Sequence, residues 1–361
     1  MIVDLNPVTP SHHKLWHREF VMLAVAGMLL TTSAYMLLAL IPLHMAGRMA
    51  AAPLVYNEQM LSAAVYALGL FAPGPFCNWL TQRYRRGIVC VRAMEGYVVC
   101  ALASWIVLNN TAVASPWLVE ALRFATAAFY GLAVLVLFGT LVIDKTESPL
   151  RTQGNHTAAW LARLGTALGP LFGILLYRNT CAADVCLWAA VCGMAAAVLV
   201  RFVNMPFKAP DDDVHHISAD RFMLSGAWRL FFFTAMCFAC YGYVLSVACS
   251  SAFYALVLVG YLWALVSEHF TGSFCHSRTD LFVAFFFVLS AMSVFCSPDG
   301  MLPGYLTPCL LGAGVGMTGA RAQLMFISGS DHCRRGTAVC TFFLACEWGV
   351  AIGVLVGMAL H

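Results

Sequence analysis

Long apolar blocks separated by short polar connections run through this chain of 361 residues. A helix needs about 20 mostly apolar residues to cross about 30 Å of hydrocarbon. On that criterion spanning helices are predicted near 19–42, 59–81, 88–108, 117–143, 155–177 and 182–203, then near 228–248, 251–270, 280–297, 302–328 and 336–360. Between the two groups lies the longest hydrophilic connection, Asn204 to Gly226, with Pro206, Pro210, the run Asp211-Asp212-Asp213 and the pair His215-His216. The predicted fold class is an all-α polytopic membrane protein. It has a six-helix bundle over 1–203, a linker over 204–226 and a bundle of about five helices over 227–361. The histidine pair beside three carboxylates has some of the ligands of a metal site. No further ligands follow at a recognisable spacing, so a solvated linker without metal is the expectation.

Two of these helices carry glycine at every fourth position. Gly165, Gly169 and Gly173, with Pro170 after the second, are matched by Gly349, Gly353 and Gly357. Each run has one ionisable residue two positions before it, Arg163 in the first and Glu347 in the second. Glycines at this spacing line one helix face and let a neighbouring backbone approach closely. Finding that face twice points to two related halves, an arrangement typical of transporters.

Composition fits the same picture. The chain is 61% hydrophobic and 10% charged, with a mean hydropathy of +0.81. Soluble domains carry about 25% charged residues, so lipid must be the solvent here. A net charge of +3 is too small to indicate nucleic acid. Most of the 15 cysteines lie singly in apolar runs and read as small packing residues. Lys14 and Arg18 lead straight into a full-length spanning segment, so no cleavable signal is expected. With the N-terminus inside, lysine and arginine favour the inner segments by fourteen to two, the two being Arg48 and Arg178. That sets the N-terminus in the cytoplasm, and a bacterial inner membrane is the expected location.

Three stretches carry a family likeness. The connection after the second helix reads Gly74-Pro75 and then Leu80-Thr81-Gln82-Arg83-Tyr84-Arg85-Arg86. The fourth helix begins Glu120-Ala121-Leu122-Arg123 and reaches Gly131, and the fifth holds Gly165, Gly169, Pro170 and Gly173. Together these resemble the major facilitator superfamily of secondary transporters. The first is similar to the family's cytoplasmic motif, a glycine followed by Asp-Arg-x-Gly-Arg-Arg, with Gln82 for the acid and Arg85 for the glycine. The acid is thought to latch the halves in one state, so Gln82 puts that latch in doubt. The second resembles the family's Arg-bearing motif, with Thr126 and Ala127 where Gln and Gly are usual. The third is similar to a signature of drug–proton antiporters, with His156 where a further glycine is usual. The resemblance implies two pseudo-symmetric bundles around a central cavity. The family has twelve helices and this chain about eleven, six and then five, as a truncated frame or a shortened member would give.

Charges in hydrocarbon cost about 2.5–3.5 kcal/mol each on insertion scales, which makes each a functional candidate. Glu347 lies about 11 residues into its helix, about 16 Å deep. Burial there disfavours its charged form, so it is the first candidate for proton coupling, with Glu120 the second. The bland alternative is an ion pair of Glu347 with Arg163 or Arg321. Arg123 is placed to pair with Glu120 three residues earlier, or to orient a cavity network. Arg321, followed by Gln323, is suited to an anionic substrate or to Glu347. Arg92 and Glu95 make a local pair. The resemblance places Tyr35, Tyr130, Tyr241, Tyr243 and Trp348 around the cavity, although most aromatics in such helices simply pack. The first helix has no acid between Phe20 and Pro42, where many proton-coupled exporters of the family have one. Ser11-His12-His13 and His17 read as a wet lead-in.

Zinc-protease, serine-elbow and phosphate-loop signatures are missing, so no enzyme, cofactor or ATP-driven pump is expected within this chain. The expected function is proton-coupled export of a small, partly apolar compound by a monomer in the bilayer. Uptake of an organic anion or nutrient, and a transport-inactive member, are the alternatives.

Overall fold

The computed structural model describes residues 14–46, 55–110, 115–205, 213–248, 250–271, 277–297 and 302–360. Arg48, Ser11-His12-His13, Pro206, Pro210, Asp211 and Asp212 lie outside them. The elements before the linker are α1 (Arg18–Ala46), α2 (Val55–Phe71), α3 (Cys77–Arg83), α4 (Arg86–Asn109), α5 (Pro116–Val136), α6 (Val142–Lys145), α7 (Arg151–Asn179) and α8 (Ala182–Arg201). After it come α9 (Trp228–Val247), α10 (Ser251–Thr271), α11 (Ser277–Phe295), α12 (Leu302–Ser328) and α13 (Arg335–Leu360). Nine of the described helical stretches are long and apolar enough to cross a membrane; α2, at 17 residues, and the apolar part of α11, Thr279–Phe295, are shorter. The fold is all-α and polytopic.

Two predicted helices depart from a regular α-helix. The span near 59–81 breaks after Phe71, and a 3-10 turn at Gly74–Phe76 leads into α3. Pro73 and Pro75 bracket Gly74, and a proline inside a helix removes a ladder bond and crowds the preceding turn. The span near 117–143 carries a π-helical turn at Leu137–Leu141 between α5 and α6. This widened turn brings Gly139 against α13, where a side chain on Gly336 would lie 2.5 Å from the Gly139 carbonyl. Turns of this kind are common at functional sites.

Packing follows a two-fold plan. α1 lies along α7 as α9 lies along α13, α2 meets α5 as α10 meets α12, and α4 meets α5 as α11 meets α12. The two sets touch through α2 with α13 and α7 with α10, again a related pair. α8 covers α1 and α4, and among the described residues no helix fills the matching place beside α9 and α11. Glycine explains the intimacy. A methyl on Gly165 would lie 2.7 Å from the Thr32 nitrogen of α1. One on Gly353 would lie 2.7 Å from the Tyr243 nitrogen of α9 and closer still to the Ala239 carbonyl. The two glycine faces do the same work in each set.

The linker, expected to be solvated, is mostly exposed where it is described and is anchored to the helices at several points. Ser218 N donates to the Pro75 carbonyl (3.0 Å), and the Phe222 ring fills the space a side chain on Gly74 would need. Arg221 N and Leu224 N donate to the hydroxyls of Thr337 and Thr341 on α13, at 3.0 and 2.8 Å. Arg221 has φ of 57°, rare for a residue with a side chain. His216 packs edge-to-face against Trp79, 5.0 Å between ring centroids. The start of α1 shares this face, since Asn204 N donates to Glu19 (3.3 Å) and Glu19 pairs with Lys145 (2.8 Å).

Gly165→Val and Gly353→Val are each expected to destabilise the protein by about 1–3 kcal/mol by forcing the backbones apart. Gly304→Ala, where nothing lies within 4 Å, is expected to leave it equal or firmer. Unfolding of the purified variants in detergent measures the difference.

Candidate functional site

Glu347 is 7% exposed in the middle of α13. Tyr35 Oη of α1 donates to its Oε2 at 3.2 Å, and Tyr130 Oη of α5 to its Oε1 at 3.3 Å. Both hydroxyls come from helices that precede the linker. The motif glycine Gly169 leaves room for Tyr35, because a side chain there would strike the Tyr35 Cβ. The packing motif therefore sets the height at which Tyr35 meets the carboxyl.

A second contact follows from Pro170. A proline has no N–H, so the carbonyl four residues earlier, on Thr166, loses its helical donor. Tyr241 Oη of α9 fills the gap, donating to the Thr166 carbonyl at 2.7 Å. Thr166 Oγ1 lies 3.0 Å from Tyr261 Oη of α10. The Gly-Pro helix thus exposes a backbone acceptor in hydrocarbon, and a tyrosine from beyond the linker satisfies it.

Arg163 makes no direct hydrogen bond to Glu347, although its charge still acts on that carboxyl across the intervening space, as the ion-pair reading of the two would have it. Its guanidinium lies 4.4 Å from the Phe238 ring centroid and 4.6 Å from that of Phe342, and its Nε has no acceptor. A guanidinium between aromatic faces is held by the ring quadrupoles, worth about 2 kcal/mol or more when desolvated.

Arg321 also turns away from Glu347. It pairs with Asp280 at 3.0 Å and lies 3.9 Å from Glu268. Glu268 in turn meets His156 Nε2 (2.9 Å) and accepts from Trp160 Nε1 (2.6 Å), both on α7. Gln323 donates to the Asn155 carbonyl (3.1 Å). This network ties α7 to α10 and α12 nearer the linker face. Sequence reasoning missed Glu268, Trp160 and Asp280. Both acids stand near helix ends, where a charge calls for no explanation. His156 stood out as a departure from the glycine signature.

The other candidates lie apart. Arg123 and Glu120 pair at 2.6 Å with Ser62 bonded to both, beside a groove formed by Leu37, Tyr66, Leu108 and Thr126. Tyr243 packs edge-on against Phe295, and Trp348 lies among Phe231 and Phe232. Arg92 and Glu95 form an exposed pair at 2.8 Å. In the motif loop Arg86 binds Asp144 at 2.5 Å, while Gln82 lines the neighbouring cavities and Arg83 and Arg85 are exposed. Among the described residues no three His, Cys, Asp or Glu side chains are placed to share a metal ion.

No family model matches this sequence, and no curated protein matches it. Solved structures do. The human organic anion transporter MFSD10 matches over 95% of this chain and 93% of its own, at 15% identity and a TM-score of 0.67. A D-xylose–proton symporter matches over 94% and 89%, at 11% identity and a TM-score of 0.67. The nucleoside transporter NupG matches over 94% and 90%, at 10% identity and a TM-score of 0.60. The fold is thus that of the major facilitator type, two pseudo-symmetric helical bundles.

Tyr241→Phe is expected to cost about 1–3 kcal/mol by orphaning the Thr166 carbonyl. Pro170→Ala restores an internal donor, so in that background the same change should cost clearly less. A double-mutant cycle on unfolding midpoints checks it, and equal costs in both backgrounds would refute the coupling.

Proposed function

We propose that this chain is a secondary active transporter that exports a small, partly apolar compound in exchange for protons, with Glu347 as the coupling carboxyl. One observation carries the reading. The carboxyl belongs to α13, while both hydroxyls that bind it belong to helices before the linker. Hydrogen bonds to an ionised acceptor are roughly twice as strong as neutral ones. Ionised Glu347 therefore holds the two sets of helices together at this level, and a proton weakens the hold. A proton-dependent bond across the interface between halves is what alternating access needs for coupling.

The surroundings support the solute class. Tyr35, Tyr66, Tyr130, Tyr241, Phe238 and Phe342 are all buried at or near this level. Were the two sets of helices to part here, these aromatic side chains and their few hydroxyls would face the opening, and such walls suit small compounds of mixed polarity. Such compounds enter a bilayer unaided, so a carrier does work only in expelling them. The structural neighbours, an organic anion transporter, a sugar–proton symporter and a nucleoside transporter, lend weight to a small solute. A second reading, an organic anion, rests on Arg163 alone, because Arg123 and Arg321 already face carboxylates. We further propose that the halves meet at 204–226, that the chain acts as a monomer, and that the N-terminal and linker face is cytoplasmic in a bacterial inner membrane, from its excess of lysine and arginine.

In proteoliposomes, Glu347→Gln is expected to abolish transport driven by a pH gradient while leaving solute exchange at equal pH. Lipophilic cations and neutral dyes are the first probes. Unchanged pH-driven flux in the variant would remove the coupling role.

A further inference from the structure

Toward the linker face from Glu347 the helices close tightly. Phe138 stacks on Phe343 with centroids 4.4 Å apart, Cys340 Sγ donates to the Leu135 carbonyl at 3.5 Å, and Gly139 meets Gly336. Beyond this seal the linker face opens into a cavity of about 610 Å³. Its walls hold Arg86, Arg151, Arg221, Arg334 and Arg335 against two carboxylates, Asp144 and Asp220.

An excess of arginine on this face needs no ligand by itself, since loops of membrane proteins carry it for orientation. Three features go further. The Nε atoms of Arg86 and Arg335 are buried with no acceptor, Arg86 engaging Asp144 through a terminal nitrogen only, and buried polar atoms are normally hydrogen-bonded. The first turns of α7 and α13 line the same cavity, and Leu150, just before α7, offers no side-chain cap, so backbone N–H groups add to the positive field. Burial first, and the charge of Arg86 second, push the Arg221 guanidinium below its ordinary range, as crowding of like charges does. The cations also come from different parts of the chain: Arg86 and Arg151 before the linker, Arg221 within it, Arg334 and Arg335 after it. A common counter-ion would relieve repulsion across the interface.

We propose that this vestibule binds an anion bearing a phosphate group with two or more negative charges, presented by a soluble phosphate compound or by the headgroup of an anionic lipid. The site lies on the far side of the seal from Glu347 and binds whether or not Glu347 couples protons.

The test uses the full chain in nanodiscs of neutral phosphatidylcholine, titrated with inorganic pyrophosphate and followed by thermal unfolding. A parallel set of discs contains phosphatidic acid, and chloride at matched ionic strength is the reference, because screening alone shifts exposed charges. A rise in midpoint with pyrophosphate assigns a soluble ligand; a rise with phosphatidic acid alone assigns a headgroup. Arg334→Gln, at an exposed position, should raise the half-saturating concentration by about tenfold, the usual worth of one charge-assisted contact. Arg92→Gln, exposed and outside the cavity, should leave it unchanged. No shift beyond chloride with either probe, or an undiminished shift in Arg334→Gln, would overturn the proposal.

Discussion

A polar group inside hydrocarbon has only protein to bind, and the rest of this structure depends on that constraint. In water, Pro170 would leave the Thr166 carbonyl to solvent. Here a tyrosine from beyond the linker must supply the donor. Glu347 is answered by Tyr35 and Tyr130, and Arg321 by Asp280 and Glu268, for the same reason. Each of these solutions recruits a side chain from another helix. The polar residues that are dearest to bury therefore also fasten the helices to one another, and several fasten the two sets of helices.

Much of the architecture was legible because a bilayer needs a simple pattern. Length and apolarity alone placed the helices, and the repeated glycine spacing falls where α7 meets α1 and α13 meets α9. The failures came where local chemistry interrupts that pattern. Pro73 and Pro75 end α2 early although the flanking residues stay apolar, and the π turn at Leu137–Leu141 has no signature a hydropathy window detects. Pairing was harder still. Arg321 and Glu347 looked like natural partners, both deep in the membrane. Which acid Arg321 meets depends on how α12 is rotated toward α10 and α11, and no single-helix pattern encodes that rotation. Glu268 and Asp280 escaped notice because charge near a helix end is ordinary, while their partners lie on other helices.

The glycine faces and the polar cluster are two aspects of one arrangement. α7 packs on α1 through Gly165, Gly169 and Gly173, which fixes Tyr35 and Arg163 relative to each other. α13 packs on α9 through Gly349, Gly353 and Gly357, which fixes Glu347 relative to Tyr241. Each set is thus rigid within itself, since backbones in contact have no room to slide. Around Glu347 the contacts between sets are of another kind: two long hydrogen bonds to a carboxyl group, one hydroxyl on a freed carbonyl, and a guanidinium among rings. None of these relies on interlocked backbones, so each can break and re-form as a unit. Rigid parts joined by reversible polar contacts are what a rocking-bundle carrier requires.

The seal toward the linker face is the exception, because Gly139 and Gly336 bring backbones together across the sets. For the two sets of helices to part on that face, this contact must open along with the Phe138–Phe343 stack and the linker bonds to Thr337 and Thr341. The repelling arginines around the vestibule oppose the seal, while the glycine contact, the aromatic stack and the linker favour it. The balance between closed and open on this face is then set by packing against charge. Charge is the side of that balance that solution conditions change.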